Sequence, residues 1–154
     1  MIKTMIVEDE KLARDELKFL IEENPDFKVL YETADGKNAL EILKENKIDL
    51  LFLDIQIPGK SGIEIARILN KQKDAPYIIF TTAYDEYAVE AFQLSAVDYL
   101  LKPISDQRLE ESLKRAKKEI INSSDFNQQL ENLFSNLNSS KQKDSLNKIA
   151  VMEK

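Results

Sequence analysis

Five short apolar runs, at residues 3–7, 28–32, 49–53, 77–81 and 97–101, alternate with segments whose apolar residues recur at helical spacing, and few architectures accept that order. Each run is rich in Ile, Val, Leu, Phe or Tyr and too short for a helix, so each reads as a strand. Between them, Ala13, Leu17, Leu20 and Ile21, then Ala39, Leu40 and Leu43, then Ile65, Ala66 and Leu69, and finally Leu109, Leu113, Ala116 and Ile120 mark helices. A further helix is expected between Ala83 and Leu94, where Tyr84, Tyr87 and Phe92 spread around the axis and turn part of the apolar surface outward. Asn24-Pro25 ends the first helix, Asp35-Gly36 opens the second, Pro58-Gly59 and Gly62 break the chain after the third strand, and Pro103 follows the fifth. Strict alternation predicts an α/β fold: a doubly wound five-stranded parallel sheet with right-handed crossovers and helices on both faces. The third strand contains Leu50, Leu51, Phe52 and Leu53 without a polar residue, as a central strand covered on both sides should.

With 154 residues and 43% apolar side chains, the chain can bury one full core with a short extension. One domain is expected over residues 1–121. Beyond it, two Ser- and Asn-rich stretches resemble linker, yet steps of four and three from Leu109 reach Leu113, Ala116, Ile120, Ser123, Asn127, Leu130, Phe134 and Leu137, one heptad seam across the polar gap. A continuous signalling helix would use that seam. The preferred reading is a short helix on a flexible tether, with residues 122–145 as linker, because Ser123 and Ser124 favour breaks and caps. The final residues alternate like the start of a strand, so 146–154 are expected to begin an output domain cut off at Lys154.

The net charge of −6 and the lack of a basic cluster argue against this stretch gripping nucleic-acid phosphates unaided. With neither Cys nor His, any metal ligands must be oxygens. Acidic residues follow the first apolar run where a signal peptide would stay apolar, and nowhere do eighteen apolar residues run together. A cytoplasmic protein with no membrane contact is expected.

The strand ends carry the chemistry: Glu8 and Asp9, Asp54, Thr82 and Lys102 each follow or close an apolar run. Side chains beyond the carboxyl ends of parallel strands share one crevice. Three carboxylates brought together repel unless protons or a cation offset them, and oxygen-only ligands match Mg²⁺. In this reading Asp9 and Asp54 are direct ligands, Glu8 acts mainly through water, and the Gln56 carbonyl completes the set. Asp54 is also the candidate nucleophile, forming an acyl phosphate. The metal and the Lys102 ammonium would neutralise the phosphoryl oxygens while Thr82 supplies a hydroxyl, and the small Ala83 leaves room for a phosphodonor or water. Singly, each residue has a plainer explanation: a helix cap for Glu8 and Asp9, an Asx turn for Asp54, a backbone-bonded hydroxyl for Thr82, a surface amine for Lys102, a half-buried strand aromatic for Tyr99. Their coincidence at four strand ends favours the site.

VEDE after the first strand, LFLDIQIPGKSGIE around Asp54, IFTTA around Thr82, and DYLLKP with Tyr99, Lys102 and Pro103 together resemble the receiver (CheY-like) domain of two-component response regulators, over residues 1 to about 121. The resemblance implies a flavodoxin-like sheet of order 2-1-3-4-5, phosphorylation of Asp54 by a sensor histidine kinase, dependence on Mg²⁺, and a cis Lys102-Pro103 peptide. It also implies a switch: phosphate on Asp54 draws in the Thr82 hydroxyl, Tyr99 rotates into the vacated space, and the surface of the fourth helix, fifth strand and fifth helix is reshaped. Gln56 and Tyr84 stand where this family tunes loss of the phosphate. YDEYAVEAFQLSAVDYLLKP further resembles regulators with a LytTR-type DNA-binding output, which would leave DNA contact to a domain absent from this chain. Asp85, Glu86, Glu90 and Asp98 precede Lys114, Arg115, Lys117 and Lys118, so a phosphorylation-dependent homodimer pairing acidic with basic is expected.

Three rival readings compete. An Asp-nucleophile phosphatase would want a second acid two residues after Asp54, where Gln56 stands, so the chain is not expected to be an enzyme. A nucleotide-binding module would need a Gly- or Ser/Thr-rich loop after the first strand, where EDEKLAR offers carboxylates instead. A stand-alone receiver would fit a gene ending at Lys154, whereas the tail beyond 121 favours an output domain.

Overall fold

The computed structural model describes residues 1–140; the strand expected at 146–154 and the end of the expected linker lie outside them. Five strands, β1 (Ile2–Val7), β2 (Phe27–Thr33), β3 (Leu50–Asp54), β4 (Tyr77–Thr82) and β5 (Asp98–Leu101), form one parallel sheet of order β2-β1-β3-β4-β5. Between and after them run α1 (Lys11–Glu22), α2 (Gly36–Glu45), α3 (Gly62–Asn70), α4 (Ala88–Gln93) and α5 (Asp106–Ser140). Every residue of β3 is buried, as its unbroken apolar run requires of a strand at the centre of the sheet.

Side chains alternate across each strand, and the core divides accordingly. Met5, Val7, Leu51, Leu53, Ile78 and Phe80 share one cluster with Ala39 of α2, Ile65, Ala66 and Leu69 of α3 and Ala91 of α4. The alternate residues Ile6, Leu50, Phe52, Ile79 and Leu100 are equally buried and face the other side. There α1 supplies Leu17 and Ile21, and α5 supplies Leu109, Leu113 and Ala116. Helices begin where the sequence provides caps: Asp35 accepts the Lys37 N–H at α2, and Ser61 accepts the Glu64 N–H at α3.

Two elements differ from expectation. Only Ala88–Gln93 of the segment 83–94 is helical, and Val89 and Phe92 are 72% and 82% exposed, so its apolar side chains do turn outward. Helix α5 passes through Ser123 and Ser124, where a break was expected. Ser and Asn cost a helix interior only a few tenths of a kcal/mol each, roughly, which the flanking apolar periodicity can offset. Met1–Lys118 form one compact unit, and the described residues from Glu119 onward belong to a second.

Candidate functional site

Strand register brings the candidate residues to one level. Val7 pairs with Leu53, so Glu8 and Asp54 emerge side by side from β1 and β3. Asp54 pairs with Thr81, and Thr82 with Leu101, which places Thr82 and Lys102 at the same edge. Glu8 and Asp54 are 2% and 4% exposed, whereas Asp9 is exposed. One carboxylate oxygen from each of the three lies within 4.8 Å of the others.

Lys102 enters this cluster. Its Nζ donates to Asp54 Oδ2 at 2.8 Å and also to Glu8 Oε1. Burial by itself would lower the pKa of the amine, but the hydrogen bonds and charges of Asp54 and Glu8 together outweigh it, and the net shift is upward. Lys102 is thus a fixed cation. The Asp9 carboxyl is raised, by partial desolvation first and then by its hydrogen bond to Glu8 and the Glu8 charge. The other two oxygens have partners as well: Asp54 Oδ1 accepts the Gln56 N–H at 3.1 Å, and Glu8 Oε2 accepts the Glu10 N–H at 3.1 Å. The Gln56 N–H is thereby fixed beside Asp54, at the start of the loop that follows β3. The donor set suits a small, hard divalent cation: oxygen only, with one exposed carboxylate beside two buried ones.

Thr82 and Tyr99 converge on one residue. The Thr82 hydroxyl accepts the Tyr84 N–H at 3.2 Å, and the Tyr99 hydroxyl donates to the Tyr84 carbonyl. The half-buried Tyr99 ring lies 6.4 Å from that of Phe80, and burial leads the causes that raise its phenol pKa. The Lys102-Pro103 peptide is cis.

Sequence reading missed two supports. Arg14 Nη1 donates to the Glu8 carbonyl at 2.8 Å while its Nε donates to Glu32 Oε1 at 3.3 Å, fixing the turn that carries Glu8 and Asp9. The available cue was a cation in the first turn of a helix, which runs against the helix dipole and calls for an acceptor. Gly62 is the second: a Cβ there would stand 2.2 Å from the Asp54 carbonyl oxygen and 2.8 Å from Ile55 Cα, so only glycine lets α3 start against the end of β3.

Several of the charges named for pairing between two copies have partners within the chain. Asp98 accepts from Arg108, Ser112 and Arg115 of its own chain, Glu90 pairs with Arg67, and Lys117 with Asp26. Helix α5 reaches Asp98 at the start of β5 and Asp26 just before β2, while Arg67 of α3 reaches Glu90 of α4.

A doubly wound sheet that gathers a buried aspartate, two more carboxylates and a lysine beyond its strand ends defines a signalling module of the receiver class. The chain belongs to the response regulator receiver domain family, whose profile matches residues 4–114. Among curated relatives, the sensory transduction protein LytT of Bacillus anthracis is 48% identical over 119 residues, covering 77% of this chain and 48% of the relative. The transcriptional regulatory protein BtsR of Salmonella typhi is 46% identical over 119 residues, covering 77% and 49%. The chain spans about half the length of the curated relatives it matches. Among solved structures, the response regulatory domain of mrkE from Klebsiella pneumoniae superimposes with a TM-score of 0.76 at 39% identity, covering 79% of this chain and 99% of that one. The REC domain of AraT from Geobacillus stearothermophilus gives 0.74 at 32% identity, covering 80% and 98%. Members of this family are regulators, and among the described residues no helix is long and apolar enough to cross a membrane.

Proposed function

We propose that Asp54 is the phosphoacceptor of a two-component receiver, charged by a sensor histidine kinase in a Mg²⁺-dependent step. The observation that carries this reading is the buried Asp54 carboxylate with the Lys102 ammonium 2.8 Å from one oxygen and the Glu8 and Asp9 carboxylates within 4.8 Å. An Asp54 oxygen attacks the phosphorus of a phosphohistidine, the P–N bond breaks, the imidazole leaves with the electron pair, and an acyl phosphate forms. Asp9 and Asp54, with Glu8 through water and the Gln56 carbonyl, would hold Mg²⁺, which supplies positive charge to the phosphoryl oxygens when bound. Lys102 supplies a second positive charge from the β5 side.

The new charge is read by Thr82 and Tyr99. The Thr82 hydroxyl exchanges the Tyr84 N–H for a phosphoryl oxygen, Tyr99 leaves the Tyr84 carbonyl and turns inward, and the α4–β5–α5 face changes shape. Exposed Val89, Phe92 and Leu101 on that face support phosphorylation-dependent self-association better than the charges do. Asp85, Glu86, Lys114 and Lys118 remain as its polar complement. Residues 1–121 act as the receiver of a cytoplasmic regulator like those of the LytT kind, and any DNA contact falls to an output domain beyond them.

Intact-mass measurement after incubation with a small-molecule phosphodonor and Mg²⁺ tests the assignment. The wild type gains one phosphoryl group and Asp54→Asn gains none; an adduct that survives the substitution refutes the site. For the switch face, a phosphate mimic at Asp54 should tighten self-association in sedimentation equilibrium, and Phe92→Asp should remove the gain. Equal dissociation constants with and without the mimic count against it.

A further inference from the structure

Residues 119–140 of α5 are helical, yet little within the stretch favours a lone helix. Five Ser and five Asn stand among its 22 positions, Ala is absent, and so are Lys and Arg, so no ion pair can brace one turn against the next. The Ser135 hydroxyl turns back on the Glu131 carbonyl at 3.2 Å, a contact that weakens rather than stiffens a helix. Helices of such composition persist by covering an apolar face. That face exists. Leu130, Leu133, Phe134 and Leu137 form a stripe, with Phe134 50% exposed and the three leucines partly exposed.

The period of the stripe points to its partner. Positions 120, 123, 127, 130, 134 and 137 repeat in steps of three and four, the two-in-seven seam of a helix facing a helix of the same pitch. By spacing, residue 127 holds an a-type position. In the sequence it is Asn, which at such a position favours a two-stranded, in-register pair. Charges agree with that register. Glu119 and Glu131 are the acids flanking the seam, and in a parallel pair each faces an uncharged position, 124 and 126, rather than another acid. A seam of this kind is complementary to itself, as a two-fold interface must be.

We propose that residues 119–140 pair with the same residues of a second copy as a parallel, in-register two-stranded coiled coil, making a homodimer that does not require phosphorylation of Asp54.

The chain has no cysteine, which makes disulfide trapping a clean test. Under mild oxidation Leu130→Cys, on the seam, should form the interchain disulfide at least about tenfold faster than Gln129→Cys, one position off it, and equally well with and without a phosphodonor. The double variant Leu130→Asp/Phe134→Asp should sediment as a monomer where the wild type is a dimer, while still accepting phosphate on Asp54. A wild type that is monomeric at micromolar concentration overturns the proposal, as does a dimer in which Leu130→Cys crosslinks no faster than Gln129→Cys. Crosslinking that appears only after the phosphodonor is added also overturns it, in favour of association through the α4–β5–α5 face. Because the double variant lies outside the receiver crevice, its phosphorylation separates failure of this pairing from failure of the Asp54 assignment.

Discussion

Asp98 begins β5 with its carboxylate buried and accepts from Arg108 at 2.7 Å through two nitrogens, from Arg115 at 3.1 Å, from Ser112 and from the Tyr99 N–H at 2.8 Å. Burial alone would raise its pKa, but the hydrogen bonds from Arg108, Ser112 and the Tyr99 N–H outweigh it, and the carboxyl titrates below its ordinary 3.8. A carboxylate whose folded pKa is depressed stabilises the fold above the unfolded value and loses that contribution as pH falls through the folded one. Denaturant unfolding should therefore show Asp98→Asn less stable than wild type by about 1.5–3 kcal/mol near neutrality, the cost of hydrogen bonds to a charged group. The gap should narrow below pH 3.8. A gap that stays constant down to strong acid would show that the charge plays no part. The carboxylates and the lysine of the crevice could be named from sequence because each sits beside an apolar run. Asp98 does too, but its partners lie 10 to 17 positions later on a helix, so no local pattern distinguishes it from a solvated acid.

Among the elements, the loop from β3 to α3 bears the tightest tolerances. The Gly62 N–H donates to the Ile55 carbonyl at 2.9 Å and the Gly36 N–H to the Pro58 carbonyl at 3.0 Å, so the starts of α2 and α3 are both bound to the segment that follows Asp54. Gly59, at φ +86°, makes the turn between them. Gly62→Ala forces main chain against main chain and should cost about 1–3 kcal/mol of stability by overpacking. Because the displaced atom is the carbonyl of Asp54, phosphodonor labelling should slow as well. Unchanged labelling in a destabilised variant would show that the loop absorbs the strain without moving the acceptor. In the sequence Gly62 reads only as a chain break, since the close approach needs the helix docked in place. Helix α4 is shorter than its sequence suggests for a related reason: with apolar residues on all sides, no stripe sets its ends.

Across the whole molecule, strand order and the convergence of Glu8, Asp9, Asp54 and Lys102 were legible because alternation and parallel pairing leave little freedom. What was not legible is long-range polar wiring: Arg14 to the Glu8 carbonyl, α5 to Asp98, Arg67 to Glu90. The wiring at Lys102 has a global consequence. Its amine already bonds both buried carboxylates and offsets one of their two charges, so the fold depends less on a divalent ion to hold them together. A chelator should leave the melting temperature of the wild type within a degree or two, roughly, while abolishing phosphodonor labelling. A large drop in melting temperature would mean that the acidic cluster is strained without its ion. On the proposed Mg²⁺-dependent charging of Asp54, with the lysine bridge in place, scarcity of the ion would lower the fraction of protein that can be charged without lowering the amount that survives proteolysis. Restoring the ion would then restore charging at once, with no need for new synthesis.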